Sequence, residues 1–172
     1  MFKNISKVLF LLLILTSCAS KITMPPVVGD FDANRYLGKW YEIARYDHHF
    51  QKRLINVEAI YRRATDHTIE VINKGVDSRT GEIKEIRGIG YIDDNLEVGD
   101  FEVSFFMPFY PHYRILYLDE NYQNAVIGGD SYDYLWILSR EREITPNQLN
   151  IMLYEIDKLG YDSSKLIHNI QR

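Results

Sequence analysis

Between residues 38 and 140 the chain switches repeatedly from short stretches rich in β-branched and aromatic residues to tight clusters of Asp, Asn, Gly, Ser and Thr, and this rhythm restricts its folds more than any other feature. The runs fall at about 38–48, 55–64, 68–75, 82–92, 99–106, 113–119, 123–129 and 133–140. Between them lie Thr65-Asp66-His67, Asp77-Ser78-Arg79-Thr80-Gly81, Asp93-Asp94-Asn95, Asp119-Glu120-Asn121 and Gly128-Gly129-Asp130, residue types that accept tight-turn backbone angles. Eight strands on short links predict an antiparallel meander, and closing it on itself removes the exposed edges that would recruit other chains. Such a closed sheet has an interior just wide enough for one small ligand. A two-sheet sandwich fits the same rhythm, so spacing alone leaves both architectures open.

Past the last run the period changes. Thr145-Pro146-Asn147-Gln148 has a hydroxyl cap, a proline at the first helical position and a glutamine at the third, which predicts a helix. Leu149, Met152, Leu153, Ile156 and Leu159 then fall on one face and Gly160 supplies the stop. A helix with one apolar stripe must cover something, most simply the outside of the sheet.

Gly38-Lys39-Trp40 enters the first run, and the last ends in Trp136-Ile137-Leu138-Ser139-Arg140. A glycine two residues ahead of a tryptophan suits a tight entry into a sheet where an indole plugs a narrow space. An arginine lying flat on that indole adds roughly 0.5–2 kcal/mol. On Gly38, Trp40, Arg140 and the strand count between them, the chain resembles the lipocalins, specifically the bacterial outer-membrane lipoprotein lipocalins, over nearly everything after its first residues. The resemblance decides for the barrel. It implies an all-β fold, an eight-stranded antiparallel up-and-down β-barrel (the lipocalin calyx) with one C-terminal α-helix packed outside, a short ninth strand near 165–170 and a helical turn from Asp32 to Leu37.

The amino terminus sets the compartment. Lys3 and Lys7 precede the apolar stretch Val8 to Leu15 and then Thr16-Ser17-Cys18, an export signal too short to span a bilayer. Leu15-Thr16-Ser17-Cys18 resembles the bacterial lipobox, which implies cleavage before Cys18 and lipid attachment at it. Ala19 at the next position implies, by the same resemblance, the cell outer membrane, on its periplasmic side. The expected organisation is therefore residues 1–18 as lipoprotein signal, 19–30 as a tether and 31–172 as the lipocalin domain. Cys18 is the only cysteine, so an acylated chain forms no disulfide and relies on core and sheet pairing. Loss of Lys3 and Lys7 leaves 18 basic against 24 acidic side chains, a formal charge of −6. With no basic run, nucleic acid is not an expected partner. Monomer and homodimer are both open.

In an up-and-down barrel alternate connections share an end. Trp40 and Arg140 mark the closed end, and the connections near 47–54, 76–81, 107–112 and 130–132 mark the open one. His48-His49-Phe50 and Met107-Pro108-Phe109-Tyr110-Pro111-His112 bring aromatic side chains to that rim, either to fold inward on themselves or to form a greasy mouth. Period-two parity with Trp40 inward turns Glu42, Ala44 and Tyr46 in; with Arg140 inward, Leu138, Trp136 and Tyr134 follow. Tyr110 is expected near the entrance. The family resemblance implies that Trp136, Tyr110, Tyr134, Leu138, Ala44 and Tyr46 contact a fatty acyl chain. The parity of Phe101, Val103 and Phe105 is open to inversion by a bulge. An inward Glu42 needs a partner, with Arg87, Arg140 or a tyrosine hydroxyl as candidates, and its expected role is structural.

Catalytic patterns are absent from the sequence: it has no G-x-S-x-G elbow, P-loop, dinucleotide fingerprint or H-E-x-x-H helix. No catalytic residue, metal or cofactor is expected. Adjacent His48 and His49 would face opposite ways, and His67, His112 and His168 are isolated. The expected function is a lipid-anchored binder, store or carrier of an amphiphile such as a long-chain fatty acid or lysophospholipid. The alternatives are a lipocalin-fold enzyme acting on a lipid or pigment through Glu42 and a histidine, and a filled barrel serving as an interaction surface.

Overall fold

A computed structural model of the chain describes residues 23–92 and 97–172. The export signal, Cys18 and the Asp93-Asp94-Asn95 turn lie outside the described residues. Eight strands follow one another antiparallel: β1 (Gly38–Tyr46), β2 (Leu54–Thr65), β3 (Thr68–Asp77), β4 (Ile83–Tyr91), β5 (Asp100–Ser104), β6 (His112–Leu118), β7 (Asn124–Gly128) and β8 (Leu135–Ser139). β1 pairs with both β2 and β8, which closes the ring and produces the barrel. Helix α1 (Ala33–Tyr36) lies under its closed end, α2 (Pro146–Lys158) packs outside, and β9 (Leu166–His168) adds to β1.

Local chemistry explains these elements. Asp32 caps α1 by accepting from the N–H groups of Asn34 and Arg35. Gly38 then turns into β1 at φ +102°, where a Cβ would also stand 3.2 Å from the Arg140 guanidinium. Thr145 and Gln148 form a reciprocal capping box at the start of α2, with Pro146 in its first turn. Met152 and Ile156 of α2 are fully buried against Ile43, Ala44, Val126, Leu135 and Ile137 on the outer face of the barrel.

Two departures from simple alternation matter for the site. Between Glu42 and Ala44 the pairing of β1 with β8 slips by one residue, so Glu42 faces Leu138 and Ala44 faces Ile137. The bulge inverts parity beyond it. Ala44 and Tyr46, expected inside, instead join the outer core beneath α2, and the Tyr46 hydroxyl donates to the Asp162 carbonyl. Arg45 turns inward in their place.

The second departure is a seam. β1 pairs with β2 only from Gly38↔Tyr61 to Tyr41↔Glu58. Beyond that, β9 takes the edge of β1 through Ala44↔His168 and Tyr46↔Leu166. Residues 169–172 fill the gap: the Gln171 amide donates 2.9 Å bonds to the carbonyls of Glu42 on one strand and Val57 on the other. The Asn169 N–H donates to the Ile43 carbonyl, and the Asn56 N–H to that of Ile170. Backbone groups orphaned by the divergence of the two strands thus regain partners.

Candidate functional site

The barrel interior is layered. At the floor the Arg140 guanidinium lies 3.9 Å from the centroid of Trp40, whose indole is fully buried and donates to the Tyr36 carbonyl at 2.9 Å. Arg140 also donates to the carbonyls of Arg35, Tyr36, Leu37 and Lys39 at 2.7–3.0 Å. The planar fork therefore gathers the end of α1 and the start of β1 while its face covers the indole.

Above the floor, three tyrosine hydroxyls form a chain, Tyr36 to Tyr113 at 2.7 Å and Tyr113 to Tyr61 at 2.8 Å. Burial pushes all three phenols above their ordinary range, so they remain neutral donors and acceptors. Phe101 stacks on Tyr113 at 4.8 Å, and Ile69, Val71, Val103, Ile115, Ile127 and Leu138 complete the same inner core. Phe101 and Val103 therefore point inward, and Phe105 packs against them.

The next layer is polar on one side. Arg45, turned in by the bulge, donates to a Glu42 oxygen at 2.6 Å; Asn169 donates to the same oxygen and Gln51 to the other. This replaces the expected partners of Glu42: Arg87 faces outward and pairs with Glu70 and Glu85, while Arg140 is committed to the floor. Burial pushes the Glu42 carboxyl up, and the charge of Arg45 with the bonds from Asn169 and Gln51 pulls it back. Every partner is a donor, the arrangement an ionised carboxylate requires.

At the open end the 3₁₀ turn His49–Gln51 folds over the rim. Its Gln51 amide oxygen accepts from the Trp136 indole at 3.0 Å. His48 stacks on Phe50 at 4.1 Å and meets Trp136 at 5.1 Å, and Tyr134 lies parallel to Trp136 at 6.1 Å. His48 is 9% exposed, and among the described residues neither of its ring nitrogens has a hydrogen-bond partner; nor does Arg45 Nε. Desolvation, then the nearby Arg45 charge, hold the imidazole down at about 4, so it is neutral at pH 7.

Trp136, Tyr134 and Leu138 thus share the inner wall, whereas Ala44 and Tyr46 do not. Tyr110 is also elsewhere: it meets the exposed Tyr91 edge-on at 5.7 Å. Tyr91 lies between inward-facing Gly90 and Ile92 on the outer side of β4, and the short β5–β6 connection leaves Tyr110 on that side. Arg45 and Gln51 were missed as site residues because a bulge and the course of a single loop residue carry no signature in one sequence, whereas His48 was expected at this rim and folds inward there. A cleft of about 300 Å³ lies mainly on the outer face where β4 and β5 part beyond Ile89↔Ser104, lined by Glu70, Arg87, Ile89 and Tyr91 together with Gly88, Ser104, Phe105 and Met107. Among the described residues no three His, Cys, Asp or Glu side chains cluster as metal ligands. The arrangement is one of aromatic faces above an apolar core, with one dry corner of hydrogen-bonding groups.

A family description, the lipocalin-like domain, matches residues 31–171. The outer membrane lipoprotein Blc of Vibrio cholerae is 39% identical over 166 residues, 94% of this chain and 97% of that protein. Its Escherichia coli K12 namesake is 43% identical over 141 residues, 82% and 80% of the two chains. Among solved structures, insecticyanin from the tobacco hornworm superposes with a TM-score of 0.69 at 20% identity, covering 86% of this chain and 84% of its own.

Proposed function

Because the chain belongs to the lipocalin family, we propose that it carries an amphiphile with one long acyl chain, a fatty acid or lysophospholipid, between the inner walls of its barrel. Its bacterial relatives are outer-membrane lipoproteins, and the chain shares that location. The observation that carries the reading is the aromatic rim of His48, Phe50, Tyr134 and Trp136 set directly above an apolar interior.

The driving force is desolvation. Each methylene moved from water onto those walls contributes about 0.8 kcal/mol, so a long chain binds usefully even after ordering costs. Trp136, Tyr134, Leu138 and Phe105 would flank the chain. The head group would meet the unpartnered nitrogens of His48 and Arg45 at the rim, where a polar atom repairs an unsatisfied group. Acylation of Cys18 would hold the carrier at its membrane. The enzyme alternative loses its proposed reactive group, since both Glu42 oxygens are engaged by donors.

Native mass spectrometry of protein purified without added lipid is expected to reveal acyl cargo. Trp136→Ala should weaken acyl-chain binding at least several-fold with modest loss of stability. Trp40→Ala should cost on the order of 3–5 kcal/mol of stability, as removal of a buried indole does. Absence of both cargo and measurable acyl binding would refute the reading, and equal effects of the two variants would refute the assignment of floor and wall.

A further inference from the structure

The course of residues 23–31 determines which end of the barrel the anchor reaches. At the closed end the Phe31 N–H donates to the Glu97 carbonyl at 3.1 Å. Upstream of it the chain climbs the outside of the barrel. Gly29 bridges Val98, and Val28 exchanges 2.9 Å backbone bonds with Ile115 and Gly99. The Pro25 carbonyl accepts from Arg114 at 2.8 Å, and the Thr23 carbonyl from the Tyr132 hydroxyl at 3.4 Å. Tyr132 belongs to the β7–β8 connection, at the open end beside Tyr134. The tether therefore leaves the barrel at its mouth, although the domain begins at its floor.

The anchor has a short reach. Cys18 stands five peptide units before Thr23, a span of at most about 17 Å. The twelve-residue β2 running between the two ends is roughly 40 Å long and, tilted by about 35–45° as barrel strands are, spans about 30 Å of barrel height. Acyl chains on Cys18 cannot hold the floor against a bilayer while residues 23–29 stay in place. The two ends also differ in chemistry. Phe50, Phe106, Met107 and Phe109 at the open end are 56%, 68%, 75% and 71% exposed. The closed-end turns instead expose Asp66, His67, Glu120, Glu141, Arg142 and Glu143.

We propose that the open rim is a bilayer-docking surface, with Phe106, Met107 and Phe109 of the β5–β6 connection and Phe50 of the β1–β2 connection seated in the lipid interface, so that the mouth faces the membrane from which Cys18 hangs. Aromatic and thioether side chains suit that zone, and large exposed apolar groups clustered on one end of a protein mark a surface with an apolar partner. The assignment rests on the anchor at Cys18 and holds whatever the cargo.

The test uses the full acylated lipoprotein in vesicles of phosphatidylethanolamine and phosphatidylglycerol. With Cys18 acylated, a cysteine introduced by Phe109→Cys, Met107→Cys or Asp66→Cys is the one free thiol for an environment-sensitive fluorophore. Labels at 107 and 109 should shift to the blue and be quenched more than twofold by spin-labelled lipid, while the label at 66 stays aqueous. Quenching at 66, or at none of the three positions, would overturn the proposal. Vesicle flotation and circular dichroism confirm that each variant is anchored and folded, so loss of cargo binding alone leaves this readout intact.

Discussion

In the upper barrel two single side chains, His48 and Glu42, tie stability to pH in opposite directions. His48 is neutral when folded and takes its proton only near 4, whereas an unfolded chain takes it at about 6.5. Stability from this group is full above pH 6.5 and falls as pH drops from 6.5 towards 4, because the unfolded state binds the extra proton first. Arg45 and His49 push the ring in the same direction as burial, and Asp47 opposes them. Glu42 acts in the contrary sense, since its raised carboxyl favours the folded state as pH falls. Thermal midpoints of the wild type and His48→Phe between pH 7 and 4.5 should therefore diverge, the variant losing less on acidification. Glu42→Gln has a different cost: it leaves the Arg45 guanidinium, with only 4% of its side chain exposed, facing a neutral amide. A loss on the order of 3 kcal/mol in urea unfolding is expected, partly recovered by adding Arg45→Met.

Among the elements, the seam between β1 and β2 depends on a segment far away in sequence. Asn169 and Gln171 reach groups on β1 that precede them by 127 and 129 positions. Replacing both by alanine should orphan the carbonyls of Glu42 and Val57 and remove a donor from the Glu42 carboxylate. A drop of about 2–4 kcal/mol is expected, with faster amide exchange confined to residues 42–46 and 54–58. Strand rhythm, the capping box of α2 and the Gly38-Trp40-Arg140 floor were all legible in the sequence, because each is set by local propensity or a short motif. The Glu42/Ala44 bulge was not, since a one-residue slip leaves composition unchanged while exchanging Ala44 and Tyr46 for Arg45 on the inner face. The seam was equally hidden: the family resemblance implied a ninth strand near 165–170 but not that residues beyond it bridge two others.

At the scale of the whole molecule, parity from Arg140 backwards placed Leu138 and Trp136 on the inner wall because β8 is regular, while parity from Trp40 forwards failed because β1 is not. The interior, in which an inward Glu42 was expected, holds a neutral tyrosine layer below and a charged pair above, separated by aliphatic walls. The route of residues 23–31 over the outer surface was also invisible to spacing, because it arises from contacts with β5, β6 and the β7–β8 connection.

The bridging of β1 and β2 by residues 169–172 has a consequence for how the protein is delivered. A polypeptide threaded through a translocase amino end first presents β1 and β2 early, and β2 can zip to β3 at once, yet the edges that the upper halves of β1 and β2 turn towards each other find no partner until some hundred residues more have crossed. Half-exported chains are therefore unable to shut, and any partly translocated intermediate stays pliable enough to keep moving through the pore.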